Sequence, residues 1–283
     1  MSDKAVISVI IPCYNSGEFL PDAVNSVRQK TGAHPYDIII VDDGSTDEVT
    51  KDLLEQYKRE NITVIHQENK GPAAARNTGV RVSQSEFLLF LDSDNKVRPA
   101  YISKALMVME QDKEVGVVYG APNFFGDSTE ARFTPGDFNL FTIHKGNNID
   151  MCAVVRRIVW NSVGGFDEDR ILIGHEDWDF WIMTGAKGWK FHFINEVLYD
   201  YRIRQNSVIV NANEGNKVER VLNYFHIKHR ELLLRNYDLL YNKKLFYEKE
   251  HKNPFRLFVK YCYHRYLVKL LSFNIGRGDF KRL

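Results

Sequence analysis

Two aspartates spaced one residue apart, Asp92 and Asp94, follow directly after the apolar run of residues 87–91. A short apolar run bounded by polar residues indicates a buried strand. The two carboxylates therefore stand where a strand ends, and open α/β sheets bind ligands in the crevice outside that edge. Mg²⁺ is usually held by one or two carboxylates together with substrate phosphates. The segment 92–94 thus predicts a site for a metal ion and a diphosphate.

Two further polar clusters follow predicted strands. Residues 12–15 follow the β-branched run 6–11, and residues 42–45 follow the run 37–41. Asp43 can accept hydrogen bonds from a uracil N–H or a ribose hydroxyl, and Tyr14 can stack on a base. Each cluster alone is better explained as a set of strand and helix caps. Three of them at one sheet edge favour a binding site.

A fourth candidate segment spans residues 69–77. Gly71-Pro72 is typical of a helix start, because the proline N–H would have no partner there. The free N–H groups and the helix dipole at such a start favour anions. Arg76, about one turn further on, is equally consistent with a base or phosphate contact and with a solvated helical arginine.

Strands and helices must alternate to bring these residues together. The pattern predicts a parallel sheet with both faces covered by helices, because the strands are almost continuously apolar. Residues 124–148 read as a long loop over the sheet edge, and loops of that length are usually functional. The predicted strands are 6–11, 37–41, 62–65, 87–91, 115–119, 189–194 and 197–201; the predicted helices begin at 16, 46–47, 71, 101, 178, 218 and 255.

The amino-acid composition indicates which class of protein this chain belongs to. The chain has 283 residues, 44% hydrophobic, and a net charge of +1, which is ordinary for a globular protein. Three scattered cysteines form no metal or disulfide pattern, so we expect a reducing cytoplasm. From the N-terminal residues we expect no signal peptide. No apolar stretch in the sequence has the length of a membrane span.

The charge is unevenly distributed. Residues 252–283 contain eight Lys and Arg and one Asp. Their spacing predicts a basic amphipathic helix. Such a helix can lie on an anionic membrane surface at the inner face, and it can equally pack on the body of the protein. The patch carries no nucleic-acid-binding motif, so we expect no nucleic-acid partner.

Six segments together resemble the inverting family 2 glycosyltransferases of the GT-A fold, in order and spacing, across about residues 5–207. They are SVIIPCYNSGEFL, VDDGSTDE, NKGPAAARNTG, LDSD, VGGFDE and HEDWDFW. The resemblance implies a Rossmann-like, mostly parallel sheet flanked by helices in residues 1–215, with a helical extension in 216–283. It also implies an enzyme that transfers a sugar from a nucleotide sugar, with UDP as the expected nucleotide, to a glycan or lipid-linked hydroxyl acceptor.

The resemblance assigns roles to individual positions. Asp94 is the expected direct ligand of Mg²⁺ or Mn²⁺, with Asp92 beside it. The positions that correspond to the nucleotide site of the family are Pro12, Tyr14, Asn15, Asp43, Lys70, Arg76, Asp92 and Ser93.

The pair Glu176-Asp177 matches the acidic motif that supplies the catalytic base in this family. An inverting displacement needs a base that takes the proton of the acceptor hydroxyl. Adjacent helical residues face different ways, so only one acid is expected to reach the acceptor. Asp177 is the first choice, Glu176 the second and Asp179 the third. Without the resemblance, acids that favour a helix N-terminus would be the simpler interpretation.

The segment 201–207 resembles the strand end that lies near the diphosphate in this family. Many relatives carry His where this chain has Arg204, so this position offers no imidazole as a third metal ligand; His175 and His192 are the candidates. Arg202 or Arg204 can instead neutralise phosphate.

Other classes of protein fit less well. A sugar nucleotidyltransferase would show a glycine-rich phosphate loop after the first strand, and residues 12–17 lack one. A dehydrogenase would show Gly-x-Gly-x-x-Gly there. The only argument from the sequence against a non-catalytic sugar-nucleotide-binding protein is that all the expected acids are present: Asp43, Asp92, Asp94 and Asp177.

Overall fold

The computed structural model describes residues 5–205 and 216–252, together with 255, 258, 259 and 263. The chain divides into two compact units, Met1–Ile227 and Lys228–Leu283. The domain boundary predicted after residue 215 lies before this division and remains a prediction. The predicted helix over residues 255–272 lies almost entirely outside the described residues.

Within the described residues, eight strands form one sheet in the order β3-β2-β1-β4-β7-β6-β8-β5. Strands β1 to β4 and β6 were all expected from their β-branched and apolar runs. The strands are β1 (Ile7–Cys13), β2 (Tyr36–Asp42), β3 (Thr63–His66), β4 (Phe87–Phe90), β5 (Lys96–Val97), β6 (Val115–Gly126), β7 (Val154–Arg156) and β8 (Lys190–Ile203).

The sheet is mixed. β3, β2, β1 and β4 are parallel, and β6 is parallel to β8. β7 is antiparallel to both of its neighbours, β4 and β6, and β5 is antiparallel to β8. Because β7 runs against β4, the residues that precede β7 lie at the same edge as the residues that follow β4.

Eight α-helices are described. They are α1 (Leu20–Arg28), α2 (Glu48–Arg59), α3 (Pro72–Val82), α4 (Tyr101–Gln111), α5 (Arg157–Val163), α6 (Glu176–Ala186), α7 (Lys217–Lys228) and α8 (Arg230–His251). The cap of α2 is Asp47, whose side chain accepts a hydrogen bond from the N–H of Thr50. Pro72 occupies the first turn of α3 after Gly71, as the sequence predicts.

Both faces of the sheet are buried. Along β1, Val9 and Ile11 face one apolar cluster, whereas Ile10 faces another. Along β4, Leu89 belongs to the first cluster and Phe90 to the second. This arrangement explains why these strands read as continuous apolar runs rather than as an alternating pattern.

The structure differs from the sequence-based expectation in three ways. The two predicted strands over 189–194 and 197–201 are one strand, β8, which has register irregularities against β6. The single helix predicted from residue 218 is the pair α7 and α8. The short elements β5, β7 and α5 were not predicted, because two to seven residues carry too little periodicity. In the described part of the chain, no helix has the length and apolar character of a membrane span.

Candidate active site

The carboxyl ends of β1, β2 and β4 open into one cavity of about 830 Å³. This volume lies within the range of ligand sites, about 300–1,000 Å³. Most of the site residues expected from sequence line it: Pro12, Tyr14, Asp43, Arg76, Asp92, Ser93, Asp94, Glu176, Asp177, Arg202 and Arg204. Asn15 and Lys70 are not among the lining residues.

Arg76 lines the cavity and is only 3% exposed. Its Nη1 donates to Oε1 of Glu176, and its Nη2 donates to Oδ1 of Asp92, both at 2.6 Å. Burial opposes the charge of Arg76, but the two carboxylates outweigh it and raise the pKa of the guanidinium. Both terminal nitrogens are therefore engaged by protein carboxylates, so Arg76 is neither the solvated helical arginine nor, in this structure, a side chain extended towards a ligand.

Glu176 and Asp177 begin α6 and face differently. Glu176 is buried, and its second oxygen accepts from the N–H of Gly174 at 2.7 Å. Oδ2 of Asp177 accepts from Nδ2 of Asn147 at 2.9 Å. Burial raises the pKa of Asp177 well above its ordinary value, and the charges of Glu176 and Asp150 raise it further. A carboxylate with a raised pKa and a fixed direction has the properties of a general base.

Asp179, the third choice for the base, is 2% exposed and does not line the cavity. The indole rings of Trp178 and Trp181, on the same helix, are also buried. Trp178 donates from Nε1 to the carbonyl of Ile143, and Trp181 donates from Nε1 to the carbonyl of Ile149. Helix α6 thus holds the segment 143–149 by both indoles and by Asp177.

Asp150 is a cavity residue that the sequence analysis missed. Its Oδ1 accepts from the N–H of Cys152 at 2.9 Å. Burial raises the pKa of Asp150 to about 7, and the charge of Asp92 adds to the rise. Asp150 lies beside Asp92 because antiparallel β7 starts where β4 ends. The sequence does show an acid directly before the apolar run 151–155. That acid can be assigned to the cavity only when the direction of β7 is known, because the direction decides at which edge of the sheet Asp150 lies.

Asp94 faces two arginines from the end of β8. Nε of Arg204 lies 2.7 Å from Oδ2 of Asp94. Arg202 donates from Nε to the backbone carbonyl of Asp94 at 2.9 Å and from Nη2 to Oδ2 of Asp22 at 2.6 Å. Burial raises the pKa of Asp94, and the charge of Arg204 opposes that rise.

Tyr14 and Asp43 also line the cavity. Tyr14 is 48% exposed. Asp43 is 4% exposed. Its Oδ1 accepts from Gln67 Nε2 and the N–H of Lys70, and its Oδ2 accepts from the N–H of Gly71. These bonds hold the β3–α3 loop against the end of β2.

Asn15 serves the neighbouring loop. Its Oδ1 accepts from the N–H of Thr46 at 2.8 Å, and its own backbone adopts a positive φ of 47°. Asparagine tolerates this conformation better than most residues. The side chain of Lys70 is exposed. The nucleotide roles of Asn15 and Lys70 stay predictions from the resemblance.

The residues present suit a small divalent cation. Asp92 and Asp94 offer carboxylate oxygens at the cavity wall, and Mg²⁺ or Mn²⁺ held by one or two carboxylates takes its remaining ligands from phosphates and water. In the described residues, no three His, Cys, Asp or Glu side chains converge on one metal position. Of the two histidine candidates, His175 lines the cavity and His192 does not.

Comparison with known proteins gives consistent results. The family model described as Glycosyl transferase family 2 matches residues 8–164. TuaG of Bacillus subtilis (strain 168), a glycosyltransferase whose name refers to teichuronic acid biosynthesis, is 32% identical over 213 residues, covering 74% of this chain and 83% of that protein. The glycosyltransferase GlyG of Streptococcus pneumoniae serotype 4 is 28% identical, covering 83% of each chain.

Solved structures share the fold. The crystal structure of S. aureus TarS 1-349 in complex with UDP-GlcNAc superposes with a TM-score of 0.60 and 20% identity, over 76% of this chain and 65% of that one. The complex of the same protein with UDP gives a TM-score of 0.56 and 21% identity, over 70% and 60%. The present chain therefore spans about three fifths of the length of those structures.

Proposed function

This chain belongs to glycosyl transferase family 2, and from that premise we propose that it moves a sugar from a UDP-sugar to a hydroxyl group of a saccharide or lipid-linked acceptor, with inversion at the anomeric carbon. The observation that carries this proposal is the placement of Asp177 and the pair Asp92 and Asp94 on the walls of one cavity. An inverting transfer needs a base and a diphosphate site within reach of one sugar.

The proposed reaction assigns each group a task. Asp177 accepts the proton of the acceptor hydroxyl while the hydroxyl oxygen forms its bond to the anomeric carbon. The bond from that carbon to the diphosphate oxygen breaks, and its electron pair leaves with the nucleoside diphosphate. Arg204 is the cationic side chain that lies nearest to Asp94, and it supports neutralisation of the departing charge. Mg²⁺ or Mn²⁺ bound near Asp94 would supply further neutralisation of that charge.

UDP as the nucleotide rests on two supports. Structures of TarS with UDP and UDP-GlcNAc share the fold, and both Tyr14 and Asp43 line the cavity. The family resemblance is also compatible with GDP- and dTDP-sugars, so the identity of the donor is the first property to determine.

The decisive experiment incubates the purified chain with Mn²⁺ and a panel of UDP-, GDP- and dTDP-sugars, and measures the nucleoside diphosphate released. We expect slow hydrolysis of one donor, abolished by EDTA and by Asp94→Ala. Nucleotide binding is measured in parallel by calorimetry, because some transferases stay silent without their acceptor. Absence of both donor hydrolysis and nucleotide binding would contradict the proposal.

A non-catalytic nucleotide-binding protein is distinguished by one variant. Asp177→Asn in a true transferase keeps its nucleotide affinity and loses turnover. In a binding module the same substitution changes neither binding nor any slow background release. The two results cannot be confused, because each is read against wild-type affinity for the same nucleotide.

We also propose peripheral contact with an anionic membrane, which suits a lipid-linked acceptor. The basic residues of 252–283 support it. On α8, the exposed apolar side chains Leu234, Tyr237, Tyr241 and Leu245 follow helical spacing. Co-sedimentation with vesicles containing anionic lipid, compared with neutral vesicles, tests this. Binding that is equal on both, or absent from both, would contradict it.

A further inference from the structure

Arg204 and Asp94 form an ion pair at the cavity wall. Nε of Arg204 lies 2.7 Å from Oδ2 of Asp94, and the two side chains are 32% and 16% exposed. The Nε atom makes no hydrogen bond within the described structure, so its N–H is not aligned with the carboxylate. The pair is therefore held by charge attraction and not by a directed bond. The guanidinium carbon also lies 4.9 Å from the ring centroid of Phe19.

Arg202 differs from Arg204 in this respect. Its guanidinium lies near the rings of Phe19 and Phe125, at 4.9 and 4.4 Å, and donates to Asp22 and to the backbone of Asp94. Arg202 is fixed by several directed contacts and is part of the wall. Among the described residues, Arg204 has one carboxylate partner and one aromatic neighbour. Arg204 is therefore the arginine of the two that loses fewer contacts when it exchanges its partner.

The ion pair competes with a divalent cation for the same carboxylate. A metal bound at Asp94 would share one oxygen with a guanidinium, and two positive groups at that distance repel each other. A phosphate offers Arg204 a stronger partner than one carboxylate does, because a guanidinium matches phosphate oxygens with two parallel hydrogen bonds. Movement of Arg204 onto a diphosphate would release the side chain of Asp94.

We propose that Arg204 is a built-in counter-ion that disfavours a divalent metal at Asp94 until a nucleoside diphosphate draws the guanidinium away. The proposal rests on the proposed function, since it needs a diphosphate in this cavity. Metal and nucleotide then bind cooperatively, and each raises the affinity for the other by the same factor. In this scheme Arg204 contacts the diphosphate directly, and it acts on the metal only through Asp94.

The test is a Mn²⁺ titration of the full chain, read by the electron paramagnetic resonance signal of free Mn²⁺, with and without UDP and corrected for Mn²⁺ bound to free UDP. The variants are Arg204→Gln, which removes the charge, and Arg204→Lys, which keeps it. Arg98→Gln is the matched control, because Arg98 pairs with Asp200 outside the cavity. Asp94→Asn shows which part of the measured Mn²⁺ binding belongs to the site at Asp94. Thermal unfolding checks that each variant is folded.

We expect Arg204→Gln to bind Mn²⁺ without nucleotide about tenfold more tightly than wild type. The same variant should bind UDP in EDTA about tenfold more weakly and should show little further gain in Mn²⁺ affinity when UDP is added. Arg204→Lys should resemble wild type in excluding Mn²⁺, and Arg98→Gln should match wild type throughout.

Equal Mn²⁺ affinity of wild type and Arg204→Gln in the absence of nucleotide would overturn the inference while leaving UDP binding, and with it the proposed function, intact. A wild-type chain that binds no UDP at any metal concentration would overturn the proposed function first. The two failures are therefore read from different titrations.

Discussion

Arg76 and Glu176 form a buried ion pair with Nη1 and Oε1 2.6 Å apart, although one hundred residues separate them in the chain. The same guanidinium also holds Asp92. A single side chain on α3 thus ties the end of β4 to the start of α6. The position of Asp177, next to Glu176, depends on this tie.

Replacement of Arg76 by Gln is expected to destabilise the fold by about 3–5 kcal/mol, because two carboxylates lose their buried partner. Chemical denaturation at pH 7 measures the change. Arg81→Gln on the same helix is the control, since its pair with Glu168 is exposed and should contribute at most about 1 kcal/mol. Equal losses for the two variants would show that the Arg76 pairs do not stabilise the fold.

Asp177→Asn is expected to lower kcat about 10²- to 10⁴-fold, because the acceptor hydroxyl loses its base. The affinity for UDP should remain at the wild-type value. Asp52→Asn, an exposed aspartate on α2, is the matched control and should retain full turnover. If the Asp177 variant kept more than about a tenth of wild-type kcat, another group would be the base.

The acid limb of kcat/KM against pH should lie above the range of an ordinary aspartate, about pH 4, because burial and neighbouring charge raise the pKa of Asp177. The base works only when it is ionised, so activity rises with pH through that pKa. In Asp150→Asn the midpoint should move to lower pH, because a negative neighbour of Asp177 is removed. A midpoint that stays in place, or moves upward, would contradict this assignment.

Stability should also depend on Asp150. Its pKa is about 7 in the fold against an ordinary value of 3.8, so the folded chain keeps a proton that the unfolded chain has released. The folded state therefore loses stability as pH rises from about 4 through 7. Asp150→Asn, which cannot ionise, should be about 4 kcal/mol more stable than wild type at pH 8. The difference in free energy of unfolding between the variant and wild type should shrink towards pH 4. Denaturation curves recorded at pH 8 and at pH 4 measure this difference.

Tyr14→Ala should weaken UDP binding by about 1–3 kcal/mol, the contribution of an aromatic ring stacked on a base. Tyr14→Phe keeps the ring and should bind UDP as wild type does, and the exposed position of Tyr14 makes both variants neutral for folding. Calorimetry measures the affinity for UDP and for inorganic diphosphate, and the comparison distinguishes contacts to the base from contacts to the phosphates. A loss of affinity for diphosphate as well would contradict a role confined to the base.

The sequence predicts much of this fold, and the reason is visible in β1 and β4. Their apolar runs are long, buried on both faces, and end in polar residues that meet at one edge. The antiparallel strand β7 has three residues, too few for a periodic signal. Asp150 was missed with it, because the direction of β7 decides on which edge of the sheet that carboxylate lies.

Arg76 illustrates a second limit of sequence reasoning. Its position on α3 follows from the Gly71-Pro72 start, but its partners come from a strand end and a helix start that lie far along the chain. The local sequence pattern predicts on which helix or strand a side chain lies, but it does not predict which residues that side chain contacts. The same holds for Arg204, whose carboxylate partner is Asp94 on another strand end.

The amide of Asn147 that orients Asp177 belongs to the irregular segment after β6 that borders the cavity. A change in this segment would therefore alter the cavity wall and, at the same time, remove a hydrogen bond from Asp177. Under the proposed reaction, such a change would slow proton removal until other substitutions held the carboxylate of Asp177 in place again.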